Sequence, residues 1–202
     1  MSIVETKTSV PANLDEEAKK MMQETASANP RLIYKKGKFF IEDADIEFGQ
    51  KYMAYPREWL RGWLKWKDGR PVEERLGRAS EYDPPPREEL GDLDKTKWDD
   101  QDQDPWQMQN ILPLTDLQTD ELILFCSGSW GGLKAIKKIV NAYYREIGRG
   151  SKRGNPIISL GTYERQTEYG LTPTPKFDIV SWENMETPLP STKEAMKDEL
   201  PF

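Results

Sequence analysis

Histidine is absent from all 202 residues, and cysteine occurs once. Without histidine there is no Ser-His-Asp triad, no Cys-His nucleophile and no zinc site built on imidazole. With Cys126 alone there is no intrachain disulfide and no thiolate zinc cluster. Cys126 sits in the apolar run LILFC, where a thiol acts as a small buried hydrophobe. No apolar run approaches eighteen residues, so no membrane-spanning helix is expected. The start, MSIVETKTSV, lacks a basic-then-apolar signal pattern, and a cytoplasmic protein is the expectation. No carboxylate pair has a spacing that marks general acid–base work, and no cofactor motif is present. The sequence therefore gives no positive sign of an enzyme and leads us to expect no cofactor.

Apolar residues are only 36% of the chain, charged residues 32%, and prolines number fifteen. This describes a modest globular core with long exposed appendages. The net charge of −6 is unevenly spread. Residues 81–104 hold ten acids against three bases, the tail 183–202 five against two, and the arm 1–30 five against three. The remaining body has twenty-one bases against fifteen acids, so a mildly basic domain carries acidic appendages.

The chain divides into an arm at 1–30, a β-rich domain at 31–182 with a flexible acidic loop at 80–105, and a flexible acidic tail at 183–202. In the arm, Asn13 and Glu16 form a capping-box pattern ahead of a short helix that Pro30 ends. LIYKKGKFFIED predicts a hairpin turning at Lys36-Gly37, and Asp68-Gly69 signals a second. The loop contains Pro84-Pro85-Pro86 and almost no apolar residues. PWQMQNILPL and DELILFCS return to strand pattern, with a turn around Asp116–Asp120. SWGGLKAIKKIVNAYYREIG is the clearest helix, with Leu133, Ile136, Ile139, Val140, Tyr143 and Ile147 on one face. Two or three strands follow. The expected fold is mainly β with one long helix before the last two strands, an OB-like small β-barrel with decorations.

WLRGWLKWK is the most informative stretch. As a strand it places Trp59, Arg61, Trp63, Lys65 and Lys67 on one face, and Leu60, Gly62, Leu64 and Trp66 on a core face. Aromatic rings interleaved with cations suit single-stranded DNA, because bases stack on indoles and cations pair with phosphates. The competing reading is a strand packed on both faces, with a loop over Trp63. Tyr52, Tyr55, Arg57 and Arg75 are near in sequence and extend the candidate platform. Gly62 leaves room for a close backbone. GSWGGLK lies between strand and helix but lacks the Walker Gly-Lys-Ser/Thr, so it reads as a tight turn. Lys134, Lys137 and Lys138 form a further candidate backbone contact or a solvated helix face. WDDQDQDPW begins like a calcium loop, but Pro105 and Ile111 stand where glycine and glutamate are required; no metal site is assigned.

The chain closes on Asp198, Glu199, Leu200, Pro201 and Phe202. This resembles the C-terminal tip of bacterial single-stranded DNA-binding proteins, which ends in aspartates and Ile-Pro-Phe. Lys197 departs from the all-acidic pattern. The body, through Asp104–Gln107, Leu112–Leu114, Gly131-Gly132 and Tyr169–Trp182, resembles uncharacterised phage proteins found among replication and recombination functions. These likenesses imply a phage-type single-stranded DNA-binding protein in the host cytoplasm. The tip would then be a partner-binding hook for replication or recombination proteins, with Phe202 entering an apolar pocket and the acids meeting basic residues at its rim. The chain is compatible with a homo-oligomer. Three alternatives stand beside this: an interaction module or inhibitor whose loop carboxylates, Asp99, Asp100, Asp102 and Asp104, mimic DNA; a virion structural protein; and a metal-dependent nuclease.

Overall fold

The computed structural model describes residues 29–68, 70–98, 103–168 and 170–184. The expected N-terminal helix, Gly69, the three aspartates 99, 100 and 102, and the tip at Asp198–Phe202 lie outside these residues. Among the described residues, ten strands form one curled open sheet with one long helix. In chain order the strands are β1 (Arg31–Lys35), β2 (Lys38–Ile41), β3 (Ala44–Ile46), β4 (Lys51–Ala54), β5 (Leu60–Lys67), β6 (Arg70–Arg78), β7 (Trp106–Asp116) and β8 (Leu122–Ser127). Helix α1 (Trp130–Gly148) then precedes β9 (Arg153–Thr167) and β10 (Gly170–Asn184). The helix thus stands before the last two strands, as the sequence pattern implies.

The β1–β2 turn follows from its residues. Lys36 and Gly37 both take positive φ, 51° and 86°, the backbone of a two-residue hairpin turn. The central strand is β7. One side pairs with β8; the other pairs with β5 over Trp106–Ile111 and with β4 over Leu114–Asp116. A 3-10 turn at Pro56–Glu58 separates β4 from β5. The sheet runs β10-β9-β4-β7-β8-β1-β2-β3, with β5 and β6 branching from β7.

The main core lies on one face. Leu112 and Leu114 of β7 and Phe125 of β8 meet Ile136 and Ile139 of α1, Leu160 of β9 and Phe177 of β10. Ser129 caps α1 by accepting from the Gly132 amide, 3.1 Å away. The buried helical stripe is Gly132, Ala135, Ile136, Ile139, Val140 and Tyr143. Leu133 and Ile147, expected on it, sit at its margins because the stripe is rotated toward the small residues that let α1 approach the sheet. Tyr34 of β1 hydrogen-bonds Thr162 of β9, so the curl brings distant strands together. β10 forms an edge, and Pro173 and Pro175 within it discourage pairing with another strand. No helix among the described residues is long and apolar enough to cross a membrane.

Candidate nucleic-acid interface

Of the stretch WLRGWLKWK, Leu60–Lys67 forms the expected strand with alternating faces, while Trp59 lies before it at the end of the 3-10 turn. Register places Lys65 opposite Trp106, Trp63 opposite Met108 and Arg61 opposite Asn110 on β7. On β6 the partner of Trp63 is Arg75. Alternation along β7 puts Trp106, Met108 and Asn110 on the same face as Leu112 and Leu114. The aromatic–cationic face is therefore the far half of the main core face. Helix α1 covers one half, and the loop 80–98 covers the other.

The cover is specific. Tyr82 packs over Gly77, where a Cβ would stand 2.4 Å from the tyrosine ring. The Trp63 indole donates to the Pro85 carbonyl at 2.9 Å. Leu90, within the loop, is buried. Asp92 accepts from the Trp106 indole at 3.0 Å and pairs with Lys65 at 2.9 Å. These two hydrogen bonds, Lys65 first, hold the Asp92 carboxyl below the usual carboxylate range. Arg87 clamps Asp104 through Nε and Nη2, at 2.7 and 2.8 Å, and donates to the Gly91 carbonyl at 2.6 Å. Burial pushes the Asp104 carboxyl up, but the Arg87 bonds and the Trp106 amide outweigh it and leave the carboxyl depressed. The acidic loop, expected to be a flexible solvated segment, is over 80–98 a packed cover held by buried Leu90 and ion pairs.

This relocates several expected site residues. Trp59 packs against the main core, its buried indole N–H without a hydrogen-bond partner among the described residues. Tyr52 is a correction: it is fully buried at the centre of β4 and presents nothing to a ligand. Burial, then the Asp116 charge, pushes its hydroxyl pKa well above the ordinary tyrosine range. Tyr55 is half-buried and shares a hydrogen bond with Thr115 at 2.9 Å. Arg57 is exposed, its guanidinium 5.7 Å from the Tyr143 ring. Arg61 is half-buried and Lys67 exposed. Arg75 lies 5.0 Å from the centroid of Trp106, a ring only 2% exposed. The opposite face of β5 is also covered. Leu60 and Leu76 join Ile111, Leu124 and Cys126 in a second cluster. Burial raises the Cys126 thiol to about 11, which removes it as a nucleophile near neutrality. Gly62 adopts φ 150°, and a Cβ there would stand 2.0 Å from the Arg75 carbonyl, so the strands approach closely as the glycine suggested.

An open aromatic–cationic surface exists elsewhere, at the start of α1. Trp130 is 53% exposed, with Arg165 of β9 and Lys134 at 4.4 and 4.8 Å from its ring centroid. Beside it runs a groove of about 400 Å³ lined by Ala135, Tyr163, Pro175 and Phe177, with Lys134, Lys138 and Lys176 at its rim. A Cβ on Gly131 would stand 2.9 Å from Thr174, so this glycine lets the helix start close against β10. Lys138 donates to the Phe177 carbonyl at 3.0 Å and pairs with Asp178 at 3.1 Å; Lys176 pairs with the same carboxylate at 2.7 Å. Burial raises the Asp178 carboxyl, but the hydrogen bonds from Lys176 and Lys138 lower it further than burial lifts it. Lys137 is exposed on the outer helix face. Of the lysines named from sequence, Lys134 and Lys138 reach this groove.

No family model, curated protein or solved structure matches this chain. Trp130, Tyr163, Arg165 and Lys176 were not singled out by sequence. The available signal was an indole in Ser-Trp-Gly-Gly at a helix start, a place where apolar burial is not required. The cations from β9 and β10 are remote in sequence and gave none. No group of three His, Cys, Asp or Glu side chains among the described residues is placed to hold a metal ion.

Proposed function

We propose that this protein binds single-stranded DNA without reading its sequence, through the open groove beside the start of α1. The observation that carries the reading is an exposed indole flanked by two cations at the mouth of an apolar groove with a lysine rim. Exposed cation–ring contacts are worth about 0.5–1 kcal/mol. Base stacking on an aromatic side chain is worth about 1–3 kcal/mol. A base that displaces Lys134 or Arg165 from the Trp130 ring gains by the exchange, and the freed cation is placed to meet a phosphate. Tyr163, in the lining of the groove, offers a second ring.

The OB-like description belongs to this proposal. Strands β6, β5, β7, β8 and β1 are successive neighbours in the sheet. Arg31 of β1 lies 5.8 Å from the Trp66 ring and pairs with Glu74 of β6 at 3.5 Å, drawing the ends of that five-strand segment together. The proposed setting is phage replication or recombination in a host cytoplasm, with Asp198–Phe202 capturing partner proteins. Deleting Lys197–Phe202 is expected to abolish that capture and to leave strand affinity equal or higher.

The test is tryptophan fluorescence on titration with oligo(dT) at two salt concentrations. Quenching that weakens with salt, and that is lost in Trp130→Ala, is the expected result. Absence of binding at low salt overturns the proposal.

A further inference from the structure

We infer that the face of β5, β6 and β7 beneath the loop 80–98 is a second single-strand site, closed in the free protein by that loop. The inference rests on the proposed single-strand binding but concerns a different surface. Three cross-strand rows lie under the loop: Gly77–Arg61–Asn110, Arg75–Trp63–Met108 and Glu73–Lys65–Trp106. Two indoles and three cations converge there, Arg75 being paired with Glu73, and besides the Tyr82 hydroxyl, which donates to the Arg75 carbonyl, the loop offers two acceptors of the kind a nucleic acid would offer. The Asp92 carboxylate sits between the Lys65 ammonium and the Trp106 indole N–H, a position suited to a phosphate oxygen. The Pro85 carbonyl caps the Trp63 indole N–H, as a base carbonyl would.

The loop also has the right charge for a built-in competitor. Residues 81–98 hold six acids against three bases. Its hold on the face is partly exposed: the Lys65 and Asp92 side chains are 29% and 40% accessible, and Leu93 is 57% exposed. Arg87 acts within the loop and its flank, joining Asp104 to Gly91 and to the Asp92 carbonyl. Among the described residues, its hydrogen bonds and ion pair go to Asp104, Gly91 and Asp92 and not to the strand residues beneath. A protein whose competent state is only fractionally populated binds with affinity reduced by that fraction. Loosening the loop therefore raises apparent affinity.

The experiment compares the full-length chain with Asp92→Asn and Arg87→Ala in oligo(dT) titrations at low salt. Asp43→Asn, on the exposed β2–β3 turn, serves as a charge-matched control. Both loop variants are expected to bind about three- to tenfold more tightly than the parent, the control to stay within twofold, and Lys65→Ala added to either loop variant to cancel the gain. Unchanged affinity in both loop variants, or an equal gain in the control, overturns the inference even where the parent binds and Trp130→Ala weakens it. Binding by the loop variants alone sustains the inference and removes the groove reading. Absence of binding in every protein removes both.

Discussion

Two tryptophans in this molecule meet the same chemistry and opposite solvation. Trp106 has Arg75 and Lys65 over its ring, at 5.0 and 5.9 Å, and is 2% exposed. Trp130 has Arg165 and Lys134 at 4.4 and 4.8 Å and is 53% exposed. The first ring is part of a closed layer, with its indole N–H consumed by Asp92. The second stands at a helix start with about half of its surface open to solvent. Aromatic–cationic composition therefore does not distinguish a core contact from a binding surface. The difference is made by what lies over the ring.

The sharpest way to break this comparison is to truncate both rings. Trp106→Ala is expected to cost about 3–5 kcal/mol of stability, as for other buried large-to-alanine changes. Trp130→Ala should cost no more than about 1–2 kcal/mol in the same urea melts, the worth of its two exposed cation–ring contacts. Equal losses would mean that the two sites are alike. Gly62→Ala comes next. A Cβ forced against the Arg75 carbonyl should cost about 1–3 kcal/mol from overpacking, read in the same melts.

On the binding side, Trp130→Ala should weaken oligo(dT) by about 1–3 kcal/mol. Lys134→Ala and Lys176→Ala should each lower the slope of log affinity against log salt by about 0.7, the single-strand value per phosphate contact. The smallest effect is on pH. Asp92 is depressed in the folded protein, so its contribution is complete above the ordinary carboxylate range and is lost only as pH falls through its lowered value. Indole fluorescence from the loop-covered face should stay constant from neutrality to pH 5 and change only in stronger acid. Asp92→Asn should abolish that transition, and a change centred near neutrality would point to another group.

Several elements were legible because their signals are local. The Lys36-Gly37 hairpin needs two residues with positive φ, and the sequence supplies a pair that tolerates it. Helix α1 declares itself through a cap and a periodic stripe, and β5 through alternation. The use made of each face of β5 was not legible. Alternation separates Trp63 from Leu64, but both classes of residue are compatible with burial once an ion pair satisfies the lysine. Tyr52 reads as a polar aromatic, yet its cross-strand partners, Asp116 of β7 and Ile158 of β9, are both buried.

By itself the sequence determined a β-rich chain with one amphipathic helix ahead of the final hairpin, a buried inert thiol, and a basic body with acidic appendages. Those follow from periodicity, turn chemistry and residue counts, all of which act over a few positions. Only the tertiary structure decided which rings meet solvent. Exposure depends on what is stacked above a surface, and no local pattern in the loop at 80–98 tells that it folds back over the strands it joins rather than extending into solvent.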